Sequence, residues 1–69
     1  MSVRAKWYRF KECKVVNTTG TEITIPAGLY GVGELDIVSI LLNDHRVIDI
    51  HKPAFALLKM EGKATLEDQ

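Results

Sequence analysis

The most regular pattern in the chain is an alternation of apolar and polar residues at positions 21–26. Ile23 and Ile25 fall on one side of an extended chain and polar residues fall on the other, as a half-buried strand requires. Residues 10–16 end in two β-branched valines, and a turn-forming Asn-Thr-Thr-Gly sequence at 17–20 separates them from this strand. The two segments predict a β-hairpin.

A second hairpin is predicted over residues 35–51, with Asn-Asp-His at 43–45 as its loop. A three-residue loop places Ile40 opposite Ile48 and Val38 opposite Ile50 on one face. A two-residue loop would mix polar and apolar side chains on both faces, so the first register is preferred. This register leaves a second apolar set on the opposite face, formed by Ile37, Leu41 and Val47.

A small barrel has only one interior, so this second apolar face must be covered by something else. The candidates are the aromatic segment 7–10, a helical turn carrying Phe55 and Leu58, or another chain. Exposed apolar faces of this kind commonly mark interaction sites.

Proline and glycine predict where the chain bends or ends an element. Pro-Ala-Gly at 26–28 cannot continue a central strand, and Gly31 and Gly33 follow closely, which predicts a sharp bend. Lys-Pro at 52–53 ends the second hairpin and opens a short helical turn at 54–58.

The predicted organisation is one small β domain at 10–60. Residues 1–9 form a basic, aromatic N-terminal arm or a first strand. Residues 61–69 are polar and contain Gly62, which predicts a disordered tail.

The segment 25–32, Ile-Pro-Ala-Gly-Leu-Tyr-Gly-Val, resembles the bend between the first two strands of SH3-like small β-barrels. The resemblance extends over roughly residues 10–59. It implies an all-β fold, either a small SH3-like barrel or a strongly bent antiparallel sheet with a short C-terminal helical turn. Such barrels serve mostly as binding modules, and the fold alone names no partner or cofactor.

Composition narrows the function classes. With 69 residues, 46% of them hydrophobic and 26% charged, the chain is long enough for a single small globular domain. One cysteine excludes an intramolecular disulfide framework, and the sequence lacks four Cys or His residues for a closed zinc site. No apolar stretch approaches the 18 residues of a membrane span. We therefore expect a soluble cytoplasmic protein with no cofactor and no membrane partner.

The formal net charge of zero conceals an uneven distribution. Residues 1–14 carry five bases and one acid, whereas residues 15–69 carry four bases and eight acids. Three of the five aromatic residues lie within 7–10, amid the bases. These rings could stack on single-stranded nucleic acid, or they could close one end of a barrel beneath Lys and Arg stems. The nucleic-acid alternative would use Arg4, Lys6, Trp7, Tyr8, Arg9, Phe10, Lys11 and Lys14.

The sequence gives only weak indications of a catalytic or metal-binding site. Ser39, Asp49 and His51 share a strand face, but Asp and His two positions apart on a strand are separated by roughly 7 Å, too far for a base and its orienting acid. Asp44 and His45 fit a polar turn better than a metal site. No catalytic residue and no metal ligand is therefore predicted, and lone Cys13 is expected in the core.

The preferred function is a non-catalytic protein-interaction module, in the form of an accessory or inhibitory small protein that acts on a larger assembly. Its small size and lack of motifs would suit a phage-derived protein. The partner is expected to be another protein or a second copy of the chain. The predicted protein-binding residues are Trp7, Tyr8, Phe10, Ile37, Leu41 and Val47.

Overall fold

The computed structural model describes residues 6–67, which form seven β-strands and one α-helix. In chain order the elements are β1 (Lys6–Phe10), β2 (Cys13–Val16), β3 (Glu22–Ile25), β4 (Gly28–Glu34), β5 (Ile37–Leu41), β6 (Val47–His51), α1 (Lys52–Met60) and β7 (Ala64–Leu66). Over these residues no helix has the length and apolar character needed to cross a membrane.

All strand pairings of the described residues are antiparallel. A five-stranded sheet has the order β6-β5-β4-β1-β7, and β2 pairs with β3 in a separate hairpin. The predicted β-rich fold with a short helix near the C-terminus is confirmed, but the described sheets do not form a closed barrel.

The first hairpin is confirmed with the predicted alternation, but its first strand begins at Cys13 and not at residue 10, since Phe10 belongs to β1. Val15 pairs with Ile23, and Cys13 pairs with Ile25, which is fully buried. In the connecting turn, the Asn17 side-chain oxygen accepts hydrogen bonds from the backbone N–H groups of Thr19 and Thr21, at 3.1 and 2.8 Å. An Asx-type turn of this kind replaces lost strand hydrogen bonds with local ones.

The second hairpin has the predicted register. Ile40 pairs with Ile48, and Ser39 pairs with Asp49. The loop has three residues because the Leu42 N–H donates to the Arg46 carbonyl at 2.8 Å. Its last residue, His45, adopts a left-handed conformation with φ of 70°, as such loops require at this position.

The glycine-rich region differs from the expectation. Residues 28–34 form the longest strand, β4, rather than a sharp bend, and the bends are confined to 26–27 and 35–36. Gly28 is required by close packing: a Cβ there would lie 2.7 Å from the Tyr30 hydroxyl oxygen. Gly31 and Gly33 are ordinary extended residues in the sheet, so backbone bending does not explain them.

The C-terminal segment also differs from the expectation. Helix α1 is longer than the predicted turn and ends where the Lys63 N–H donates to the Leu58 carbonyl and Gly62 adopts a φ of 74°, a Schellman-type stop. The chain then returns to the sheet, and Ala64 pairs with Phe10. The predicted disordered tail is therefore wrong for 64–66, while residues 68–69 lie outside the described part.

The core lies on one face of the five-stranded sheet, which we call the inner face. It includes Phe55 and Leu58 from α1, and Cys13, Val15 and Ile25 from the first hairpin. The Phe55 ring meets the Tyr8 ring edge to face, with centroids 5.0 Å apart. Helix and hairpin therefore both cover the inner face and leave the opposite face, the outer face, to the strands alone.

Candidate protein-binding face

Three large apolar side chains lie in one line across the outer face. Val47 pairs with Leu41, Leu41 pairs with Gly31, and Gly31 pairs with Trp7. Directly paired residues of antiparallel strands point to the same side of the sheet. We call this line, which crosses β6, β5, β4 and β1, the outer row.

Exposure separates the outer row sharply from the residues beside it. Trp7, Leu41 and Val47 are 50%, 50% and 56% exposed, whereas the adjacent Ile40 and Ile48 are 0% and 4% exposed. Strand alternation forces this contrast, because successive side chains point to opposite faces. The outer row is therefore an exposed apolar strip on the sheet.

Gly31 gives the outer row its shape. Its absent side chain leaves bare backbone between Trp7 and Leu41, and a Cβ built on Gly31 would lie 4.0 Å from Cζ3 of the Trp7 ring. The indole ring therefore lies beside the space that a side chain at residue 31 would occupy, and Trp7 remains half exposed to solvent.

Ile37 lies on the same face but apart from the outer row. It is 40% exposed and pairs with His51. Four residues along β5 separate it from Leu41, a distance of about 13 Å at the usual rise of a strand. Between them Ser39 donates a hydrogen bond from Oγ to Asp49 Oδ1 at 2.7 Å, so a polar pair interrupts the apolar surface.

Tyr8 and Phe10 do not belong to this surface. They are 4% and 2% exposed and point into the core. The prediction that Tyr8 and Phe10 are protein-binding residues is wrong. Alternation along β1 places them on the inner face, while Trp7 and Arg9 face outward. Burial, followed by the nearby Glu34 carboxylate, raises the pKa of Tyr8 above its ordinary value.

No described element covers the outer row. Phe55 and Leu58, which were candidates to cover it, are buried in the core on the inner face. The segment 7–10 contributes Trp7 as part of the row itself. Among residues 6–67, the second apolar face inferred from the hairpin register is therefore real and solvent-exposed.

The basic segment is divided by the same alternation. Lys6, Arg9, Lys11 and Lys14 are exposed, while two of the three rings among them are buried; Arg4 lies outside the described residues. Arg9 also lies beside Glu67, with Nε 3.5 Å from the carboxylate. The structure therefore does not bring the aromatic rings and bases together as a stacking platform.

The remaining candidate groups have ordinary structural surroundings. Asp44 accepts hydrogen bonds from the backbone N–H and Nε of Arg46, and these contacts lower the pKa of Asp44. Cys13 is buried, and burial raises the pKa of its thiol. Within residues 6–67 no three His, Cys, Asp or Glu side chains are grouped to hold a metal ion.

A shallow cleft lies at one end of the sheet, which the sequence did not indicate. Its volume is about 270 Å³, and Tyr30 and Leu42 line it between the 26–27 bend and the 43–45 loop. The Tyr30 hydroxyl donates to the Pro26 carbonyl at 2.7 Å. The cleft is smaller than a typical ligand pocket, and the Tyr30 hydroxyl is already hydrogen-bonded to the bend at Pro26.

Comparison with protein-family models, with curated proteins and with solved structures gives no match to this chain.

Proposed function

We propose that the protein is a non-catalytic protein-interaction module and that the outer row is its contact surface. The observation that carries the proposal is the alignment of half-exposed Trp7 with Leu41 and Val47 across four neighbouring strands. As an accessory or inhibitory protein, it would act by covering part of a partner's surface.

The backbone pairing of Trp7 on both sides supports this use of the residue. The residue lies on β1, between β4 and β7, and its carbonyl accepts a hydrogen bond from the Glu67 N–H at 2.9 Å. A ring held in place by the sheet loses little conformational entropy on binding. Large aromatic side chains also provide much of the binding energy in protein interfaces.

The charges of the outer face favour a protein partner over nucleic acid. Arg9 is accompanied there by two carboxylates, Asp49 and Glu67, the second of which is its ion-pair partner. Nucleic-acid contacts need a clustered positive surface to replace counterions on phosphates. The outer row lies in a neutral to slightly acidic surrounding instead.

We also propose that the fold is an SH3-like small barrel. One backbone hydrogen bond between the two sheets supports it: the N–H of Thr18, in the turn of the β2–β3 hairpin, donates to the Asp49 carbonyl of β6 at 2.9 Å. This bond holds the hairpin turn against β6, while residues 11–12 connect the other end of the hairpin to β1. The two sheets would thereby enclose the core.

The proposed function is tested by comparing two charge insertions at equally exposed leucines. Leu41 is 50% exposed in the outer row, and Leu57 is 54% exposed on α1. Immobilised wild-type protein, Leu41→Lys and Leu57→Lys are each used to capture proteins from a lysate, and captured proteins are quantified by mass spectrometry. We expect Leu41→Lys to lose the partners that Leu57→Lys retains.

The opposite result, with partners lost only in Leu57→Lys, would contradict the assignment. The salt dependence of partner binding distinguishes the protein partner from the nucleic-acid alternative. Binding to phosphates weakens steeply with ionic strength, whereas an apolar protein contact is expected to change little between low and high salt. Circular dichroism of each variant shows whether it is folded.

A further inference from the structure

We infer that the outer row is covered by a second copy of the chain, packed face to face about a two-fold axis. This inference rests on the proposed function, since it assigns an occupant to the same surface. Two residues of opposite charge on either side of the outer row, Arg9 and Asp49, support it.

Arg9 and Asp49 stand at opposite corners of the outer face. Their strands, β1 and β6, are three strand spacings apart, which is about 14 Å. Arg9 pairs with Leu29 on one side of the outer row, and Asp49 pairs with Ser39 on the other side. Along the strands this separation is also about 14 Å, so the face between the two charges is nearly square.

This arrangement is self-complementary in charge. In an isologous dimer each residue meets its counterpart reciprocally across the two-fold axis. An axis in the plane of the interface, perpendicular to the diagonal between the charges, places Arg9 of each copy against Asp49 of the other. The hydrogen bond from Ser39 uses Asp49 Oδ1, and the ion pair with Glu67 uses Nε of Arg9. Asp49 Oδ2 therefore accepts from the terminal N–H groups of the guanidinium.

The same axis also sets the positions of the apolar side chains. It places Trp7 of one copy over Gly33 and Ser39 of the other, where a Cβ on Gly33 would meet nothing within 4 Å. The bare backbone there forms a shallow depression for the indole. Leu41 lies near the axis and meets its own counterpart, and the strands of the two sheets cross at close to a right angle, one of the two usual angles of sheet packing.

The size of the face sets the strength of the contact. A square face with sides of about 14 Å has an area of roughly 200 Å². This area is well below the roughly 800 Å² that each partner buries in a standard interface. The dimer is therefore weak and forms only at high protein concentration. Like charges brought together in so small an interface suppress it strongly.

The first test is sedimentation equilibrium together with NMR of the full chain, from about 10 µM to about 1 mM, the range suited to a weak interface. We expect a rise toward dimer mass, with concentration-dependent shifts of the Trp7 indole N–H and the Gly33 amide. Trp7 is the only tryptophan, so its signal is unambiguous. A monomer throughout, or shifts confined to α1, would overturn the inference.

The second test exchanges the charges. Arg9→Asp alone and Asp49→Arg alone should each weaken self-association at least about tenfold, because each brings like charges together twice. An equal mixture of the two single variants should recover association, since the heterodimer pairs opposite charges at both positions. Leu57→Lys is the control and should dimerise as the wild type does. A mixture no tighter than its components would reject the two-fold arrangement.

The two proposals fail separately. If the wild type remains monomeric but Leu41→Lys still loses partners that Leu57→Lys captures, only the second copy is wrong. If the chain dimerises with shifts at Trp7 but captures no other protein through Leu41, the outer row serves self-association alone.

Discussion

The two faces of the five-stranded sheet are built from the same strands but have different surroundings. On the inner face Ile40 and Ile50 are fully buried beneath the helix and hairpin, whereas Leu41 and Val47 on the outer face are half exposed. Similar apolar residues are thus used for two purposes. Inner residues hold the fold together, whereas the outer row remains exposed to solvent.

The largest expected effect compares neighbouring residues of β5. Ile40→Ala should lower the free energy of unfolding by about 2–5 kcal/mol, because it removes buried methyl groups and leaves a cavity. Leu41→Ala should change it by less than about 0.5 kcal/mol, as at most surface positions. Urea denaturation of both variants measures the difference; equal losses would show that the outer row is part of the core.

A second comparison uses two glycines of β4. Gly28→Ala places a methyl group 2.7 Å from the Tyr30 hydroxyl oxygen and should cost about 1–3 kcal/mol, the usual penalty of overpacking. Gly33→Ala faces open space and should be close to neutral. Thermal unfolding of the pair decides the point, and a Gly28→Ala variant as stable as the wild type would show that Tyr30 moves aside freely.

Alkaline pH should lower the free energy of unfolding through two titratable residues of the core, Tyr8 and Cys13. Burial raises the pKa values of Tyr8 and Cys13 in the folded state. Their contribution to stability is therefore complete below the pKa values of the unfolded chain and is lost as pH rises through the folded values. The free energy of unfolding should decrease as the pH is raised from about 8 to about 11. The decrease should be smaller in Cys13→Ala. A pH profile of stability that Cys13→Ala leaves unchanged would contradict the raised pKa assigned to the Cys13 thiol.

The smallest effect is expected for the ion pair of the outer face. Arg9 and Glu67 approach to 3.5 Å with side chains 58% and 36% exposed. Exposed pairs of this kind contribute about 0–1 kcal/mol, so Glu67→Gln should barely alter the urea midpoint. A larger loss would mean that β7 depends on this pair for its attachment to β1.

Alternation made much of this arrangement predictable. The register of the second hairpin followed from matching Ile40 with Ile48, and it correctly placed Leu41 and Val47 on a face of their own. That step depends only on the two-residue period of a strand. The positions of Leu41 and Val47 in the candidate surface could therefore be predicted from the sequence.

Long-range pairing was not accessible in the same way. Nothing local shows that Trp7 lies opposite Gly31, or that Ala64 returns to pair with Phe10. The polar composition after residue 61 concealed a strand of three residues held mainly by backbone hydrogen bonds. The aromatic cluster was divided between core and surface only once β1 was seen to be a strand of the sheet.

Trp7 is exposed to solvent in the isolated chain, and we propose that it is covered when the protein binds. Acrylamide quenching of its fluorescence measures this exposure, first in dilute protein and then in the complex with its captured partner or in concentrated dimer. We expect efficient quenching in the dilute chain and a clear fall in quenching on association. Equal quenching in both states, or protection already present in the dilute chain, would contradict it.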